Sequence, residues 1–268
     1  MVFHQPVFQN RGFNVPMGKL DNRVAIVTGA SSGMGKEIAR LFAGEGASVV
    51  AVARHRDKLQ DAIAEITAKG GKAIAVAGDV SREEDIRNVV RAALETYGRL
   101  DIVINNAGLM DRMAPVGEMD DETWNEILDV NLTGPMRLFR AAIPVFLQQG
   151  RGVFVTTASV GGLFGCRAGA AYTASKHGVI GLAKNVGYMY AKKGIRSNII
   201  APGAVNTDIT KGLRMNPEGA ALCMGGMATN PRIGEPLEIA RVALFLASDD
   251  SSFINAATIV ADAGWSAY

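Results

Sequence analysis

Val24-Ala25-Ile26-Val27-Thr28-Gly29-Ala30-Ser31-Ser32-Gly33-Met34-Gly35 decides how the chain folds. A short apolar run ends directly in a turn carrying three glycines, and Lys36–Ala43 then takes up helical spacing. Val24–Val27 is apolar at every position, as expected of a strand buried on both faces. Glycines here let the backbone turn tightly and approach a pyrophosphate. A helix beginning near Gly33 offers free N–H groups and the positive end of its dipole. The spacing is GxxxGxG, not the GxGxxG of the generic dinucleotide fingerprint. Its place after a strand and before a helix, rather than the glycines alone, gives it weight.

Outward from that turn the alternation continues. Ser48–Ala53 reads as a second strand, and Asp57–Lys69 as a charged amphipathic helix. Ala73–Ala77 is a third strand, after which Ser81 with Glu84 predicts a capping box. Leu100–Asn105 is a fourth strand, flanked by Gly98 and Gly108. Helices are expected over about 121–149 and 171–193, with strands near Gly152–Thr157 and Arg196–Ala201. A last helix at 236–247 leads to a final strand at 257–261. Short strands alternating with long helices imply an α/β fold, a single-domain Rossmann-like doubly wound parallel sheet with helices on both faces. Two segments break the rhythm. Residues 1–19 form an N-terminal extension, irregular over 1–16, and 208–232 is long and rich in Gly and Met. The expected division is that extension followed by one domain over 20–268.

The 268 residues are 48% hydrophobic and 20% charged, ordinary values for a soluble globular chain. The net charge of +2 comes from both signs spread along the chain, so nucleic acid is not an expected partner. Cys166 and Cys223 are far apart in sequence and read as two free thiols of a reducing compartment. His4, His55 and His177 form no ligand-spaced pair, so no metal is expected. The N-terminus lacks the pattern of a secretory leader, and no window of about twenty apolar residues offers a membrane span. The expectation is a cytoplasmic protein.

The TGxxxGxG turn resembles that of the short-chain dehydrogenase/reductase family, and the resemblance extends over about residues 20–268. Asp79-Val80 is similar to the family's adenine-contacting pair after the third strand. Asn105-Asn106-Ala107-Gly108 resembles its NNAG motif, and Pro202-Gly203 with Val205 and Thr207 resembles the segment holding the nicotinamide carboxamide. The resemblance implies a nicotinamide dinucleotide held by Gly29, Ser31, Ser32, Gly33, Met34 and Gly35 of the turn. Arg54, Asp79, Val80, Asn105, Ala107, Gly108 and Val130 would continue the site. Pro202, Gly203, Val205 and Thr207 would close it, with Tyr172 and Lys176 reaching the nicotinamide end.

The second strand sets the choice between dinucleotides. An acidic residue at its end hydrogen-bonds the adenosine ribose and would repel a 2′-phosphate. Here Val49-Val50-Ala51-Val52-Ala53 runs into Arg54-His55-Arg56. By resemblance Ala53 stands in the place of the acid and Arg54 where NADP-using members keep a basic residue. An arginine fork suits a phosphate, so NADP(H) is favoured. Ser32, where many NADP-using members carry a basic residue, keeps NAD(H) open.

Tyr172-Thr173-Ala174-Ser175-Lys176 sets tyrosine and lysine four apart, on one helical face. Carbonyl reduction needs a proton donor for the developing alkoxide, and a free phenol has a pKa of about 10. A neighbouring ammonium and the positive nicotinamide ring are expected to lower that value. Tyr188 and Lys192 form a second YxxxK, so context must choose. Ser159 closes an apolar strand thirteen residues before Tyr172, the family's separation. Tyr188 would lie about 24 Å further along the helix, so it and Lys192 read as structural or interface residues.

The resemblance implies that Tyr172 is the general acid for reduction and the base for oxidation. Ser159 would hydrogen-bond the substrate oxygen, and Lys176 would lower the tyrosine pKa and bind the ribose. Asn131 matches the family asparagine that holds Lys176 through water.

In the family the segment after Pro-Gly is a mobile lid, here 208–232. Its Leu213, Met215, Leu222, Met224 and Met227, with Phe164 and Cys166, would suit a medium or large hydrophobic ketone or secondary alcohol of steroid-like size. Packing of the lid on the body, or a subunit interface, explains the same residues equally well. A homotetramer is expected from the family. A 3-oxoacyl-thioester reductase, a sugar dehydrogenase and an NAD(P)-sensing regulatory protein are the alternatives.

Overall fold

The computed structural model describes residues 18–267. The predicted extension therefore lies almost wholly outside the described residues, as does Tyr268. Seven parallel strands form one sheet in the order β3-β2-β1-β4-β5-β6-β7. They are β1 (Val24–Thr28), β2 (Ser48–Ala53), β3 (Lys72–Ala77), β4 (Ile102–Asn105), β5 (Gly152–Thr157), β6 (Ile195–Pro202) and β7 (Thr258–Ala261). The helices are α1 (Gly33–Gly44), α2 (Arg56–Ala68), α3 (Glu83–Tyr97), α4 (Asp121–Leu128), α5 (Gly134–Gln149), α6 (Ala170–Met189), α7 (Pro217–Gly225) and α8 (Pro236–Ala247). The doubly wound α/β expectation holds.

Burial explains the strand composition. All five residues of β1 are buried, whereas edge strand β3 is mostly half-buried. One face of the sheet packs Ile38, Phe42, Ile239 and Leu246. The other packs Val89, Leu138, Phe146, Phe154 and Val179. Phe139 and Phe146 set their rings 4.7 and 4.9 Å from that of Phe154, which anchors α5 on β5. Strand order reverses between β1 and β4, so their carboxyl ends open a crevice where ligands of such sheets bind.

The structure corrects several local expectations. The single helix expected over 121–149 is interrupted by a π-helical turn, Asp129–Thr133. Asn131 sits in that turn and exchanges hydrogen bonds with the backbone of Leu109, accepting at 2.8 Å and donating at 2.9 Å. The Ser81–Glu84 capping box does not form. Ser81 instead donates to Asp79 through both its N–H and its hydroxyl, and α3 starts at Glu83. The helix expected to run to 193 ends at Met189, and Lys192 falls in a separate 3-10 turn. The irregular 208–232 stretch contains α7. Its cap residue Asn216 accepts from Gly219 N–H at 2.9 Å and donates from its own N–H to the Arg112 carbonyl at 2.7 Å, fastening this segment to the loop after β4.

Candidate active site

A cleft of about 530 Å³ opens at the carboxyl ends of β1, β2 and β4. The turn after β1 forms its floor. Gly29 and Gly33 adopt φ of +69° and +51°, which side chains disfavour. A Cβ on Gly35 would lie 2.2 Å from the Gly29 carbonyl oxygen, so the third glycine seats α1 against the turn. Thr28 ties this turn to the next strand: its hydroxyl accepts from Asn106 N–H at 3.0 Å and Ala107 N–H at 3.1 Å.

Of the residues assigned to the cofactor from sequence, Gly29, Ser31, Ser32, Gly33, Met34, Arg54, Asp79, Val80, Ala107, Gly108, Val130 and Thr207 line this cleft. The others do not. Gly35 lies buried behind the turn. Asn105, the last residue of β4, is also buried, with its amide 3.5 Å from the Thr156 hydroxyl, whereas Asn106 follows the strand, lines the cleft and donates its amide to the Thr28 carbonyl at 3.0 Å. Pro202 ends β6, Gly203 packs on Asp262 and Trp265, and Val205 lines a different hollow with Gly234 and Glu238. Sequence reasoning missed His55, Lys58 and Lys211 on the cleft wall. Lys58 lies in the first turn of α2, just after the end of β2, and its place in that basic stretch with Arg54 and Arg56 was the available signal.

The second part of the site lies on α6 and the turn after β5. Tyr172 and Lys176 are buried, with the ammonium 5.5 Å from the phenol ring centroid. Lys176 Nζ donates to the Thr157 carbonyl at 3.0 Å. Asn131 donates to the Ser175 hydroxyl at 3.1 Å, which in turn donates to the Tyr172 carbonyl at 2.7 Å. Ser159 accepts from Gly161 N–H at 3.0 Å, and a Cβ on Gly161 would stand 3.4 Å from both Ser159 Oγ and the edge of the Tyr172 ring. Gly108 joins the two parts. A Cβ there would stand 3.3 Å from Asn131 Oδ1 and 3.4 Å from Lys176 Nζ. Tyr188, by contrast, is 82% exposed at the far end of α6.

Burial dominates the electrostatics here. It pushes the Tyr172 phenol up to about 12, against a lowering by the nearby Ser159 hydroxyl and with a further rise from the Asp111 charge. The expected lowering by Lys176 is not found in this state. The same burial brings the Lys176 ammonium down to about 8, and its hydrogen bond goes to a carbonyl rather than to the phenol. At neutral pH the site therefore presents a protonated phenol, the form a proton donor requires.

The 208–232 segment and the loop before α6 meet beside this group. Arg167 stacks on Trp265, 3.9 Å from the ring centroid, and Trp265 donates to the Gly226 carbonyl at 3.0 Å. Cys166 and Cys223, distant in sequence, bring their sulfurs to 4.0 Å as free thiols. Leu222 and Met224 are 64% and 58% exposed on α7. Among the described residues no His, Cys, Asp and Glu cluster could hold a metal, and no helix is long and apolar enough to cross a membrane.

Known proteins resemble this chain over nearly its whole length. A family profile described as enoyl-(acyl carrier protein) reductase matches residues 29–266. The 3beta-hydroxysteroid dehydrogenase 2 of Eggerthella lenta is 44% identical over 251 residues, covering 93% of this chain and 96% of that protein. The crystal structure of levodione reductase superposes with a TM-score of 0.84 at 33% identity, over 93% of this chain and 100% of that one. A Beutenbergia cavernae structure with bound NADP at low occupancy gives a TM-score of 0.83 at 38% identity, over 93% of this chain and 98% of the other.

Proposed function

The chain belongs to the short-chain dehydrogenase/reductase family, and on that premise we propose that Tyr172 is the proton donor of an NADP(H)-preferring carbonyl reductase. The chain is an oxidoreductase that interconverts a ketone and a secondary alcohol with a nicotinamide cofactor. The observation carrying the proposal is Gly108, which lines the nucleotide cleft and packs against both Asn131 and Lys176. This contact supports reading the cleft and the proton-transfer group as one site.

The residues fit a dinucleotide. The turn after β1 and the start of α1 present backbone N–H groups for a diphosphate. Arg54 and Lys58 flank the cleft where Ala53 leaves no carboxylate to repel a 2′-phosphate, which supports the NADP(H) reading. When bound, the reduced nicotinamide supplies a hydride and the oxidised one a positive charge. Tyr172 gives its phenolic proton to the substrate oxygen, and Ser159 hydrogen-bonds that oxygen as charge develops. Lys176, steadied at the Thr157 carbonyl, binds the ribose side. Asn131 holds the Leu109 backbone and the Ser175 hydroxyl, fixing the floor on which Lys176 lies.

The exposed Leu222 and Met224 of α7, with half-exposed Phe164, support a medium or large hydrophobic substrate. The family profile's description favours a second reading, an acyl-thioester reductase. That reading needs a free basic docking surface, and two arginines of α5 are already engaged: Arg137 pairs with Asp129 at 2.7 Å and Arg140 with Glu83 at 2.5 Å. A cytoplasmic location fits the two free thiols. Exposed Tyr188, Met189 and Phe253 fit a homotetramer, which a monomeric mass by light scattering would overturn.

The test follows NADPH and NADH oxidation with steroid, aromatic, acyl-thioester and sugar carbonyls, for wild type and Arg54→Ala. We expect turnover of bulky ketones with NADPH, and about a tenfold loss of NADPH preference in the variant. Faster turnover of sugars, or an unchanged cofactor ratio in Arg54→Ala, would sink the corresponding part.

A further inference from the structure

Asp111 lies three residues beyond Gly108, in the loop that leaves the cleft, and it is 1% exposed. Its carboxylate accepts three backbone N–H groups. Oδ1 takes Met113 at 2.9 Å and Gly169 at 3.0 Å, and Oδ2 takes Tyr172 at 2.9 Å. Gly169 is the N-cap of α6 and offers no side chain to cap the helix. Asp111 thus performs, from another part of the chain, the task of an N-cap side chain, and its charge is favoured at the positive end of the helix. The fit depends on glycine at 169, where a Cβ would lie 2.5 Å from Asp111 Oδ1. Next to it, Ala170 N–H donates to the Ala114 carbonyl at 3.0 Å, so the whole 111–114 segment is fastened to the start of α6.

We propose that Asp111 is a positioning residue for Tyr172, clamping the first turn of α6 and fixing a negative charge on the protein side of the phenol. The proposal rests on the assignment of Tyr172 as the proton donor. Asp111 binds the backbone of the very residue whose side chain works in the cleft, so its displacement moves the phenol relative to Ser159. Its charge also disfavours the phenolate. The groups around the pair are Lys176 on the same helix and Ser159 from the turn after β5. Arg167 stands in the loop before α6, and Cys223 on α7 is held by the Ala168 carbonyl and feels the charges of both Asp111 and Arg167. Of these charges it is that of Asp111 that raises the phenol, and removing it leaves burial and Ser159 to set the phenol's proton affinity.

The experiment compares wild type, Asp111→Asn, Gly169→Ala and Tyr172→Phe, each at its folded fraction, with kcat for alcohol oxidation measured against pH. Asp111→Asn keeps one accepting oxygen and loses the charge. It should lower kcat about 10- to 100-fold and shift the acidic limb of the profile to lower pH. NADPH affinity, read from protein fluorescence, should change by less than about threefold, because the variant leaves the turn after β1 intact. Gly169→Ala retains the charge but displaces it, and should lower kcat while the limb stays nearer the wild-type pH. A merely structural cap would lower the melting temperature and leave the limb in place. With Tyr172→Phe inactive, wild-type kcat and an unmoved limb in Asp111→Asn would overturn this inference alone. Full activity in Tyr172→Phe would overturn the site assignment and this inference together. If Asp111→Asn does not fold, Gly169→Ala decides, and wild-type kcat there rejects the clamp.

Discussion

Two buried charges at opposite ends of the sheet are treated in opposite ways. Asp101, just before β4 at the amino end, is 2% exposed and fully paired. Arg99 reaches its two oxygens at 2.8 and 2.6 Å, and Val24 N–H donates at 2.9 Å. Arg23 adds a second guanidinium at 3.6 Å. Lys176 sits near the carboxyl ends of β4 and β5, equally buried, and its ammonium meets a carbonyl instead of a carboxylate. The paired end fastens β1 to β4. The unpaired end keeps a group poised to titrate, which is what proton transfer needs and what a purely structural site avoids. In a sheet of this kind the carboxyl end carries the chemistry, and the asymmetry of charge marks it independently of any motif.

The contrast can be broken from either side. The largest effect is expected from Lys176→Met, which should lower kcat by about 10²–10⁴-fold while NADPH still binds. Its stability at pH 7 should not fall, because the substitution removes a charge that burial disfavours. Asp101→Ala should do the reverse, lowering stability in urea unfolding by about 2–4 kcal/mol with kcat per folded molecule unchanged. A catalytic loss without a stability loss in Asp101→Ala would erase the distinction.

The smallest effect is in the pH dependence of stability. Burial brings Lys176 to about 8 from 10.5, so between those values the unfolded chain holds more protons and stability rises with pH. Tyr172 acts oppositely: raised from 10.0 to about 12, it contributes stability that is full below pH 10 and is lost as pH climbs through 12. Unfolding of wild type against Lys176→Met from pH 7 to 10 should show the rise in the first and its absence in the second. Parallel curves would mean that Lys176 is not desolvated.

Much of this was legible in the sequence because it was written locally. The apolar run into the glycine turn fixed β1 and α1, and the alternation of short strands with helices implied the parallel sheet. Ser159, Tyr172 and Lys176 could be singled out because their spacing and the preceding strand belong together. Contacts between distant segments were not legible. Asn105 and Asn106 look alike in sequence, and only the end of β4, with the bonds that tie Asn106 to Thr28 and Thr157, decides which of them lines the cleft. The π turn at Asn131 depends on the Leu109 backbone, and Asp111 acts on a helix that begins 59 residues later in the chain. Cys166 and Cys223 meet only once α7 docks on the loop before α6. The burial of the tyrosine was not legible either: the four-residue spacing gives proximity to a lysine but not the depth at which the phenol sits, and burial raises it here.

The most direct test is single-turnover oxidation of pre-bound NADPH by a bulky ketone, in wild type and Tyr172→Phe. The account predicts that the variant binds NADPH as wild type does and folds with the same melting temperature, yet loses about 10²–10⁴ in the chemical step. A variant that turns over at the wild-type rate would contradict it and move the proton donor away from α6.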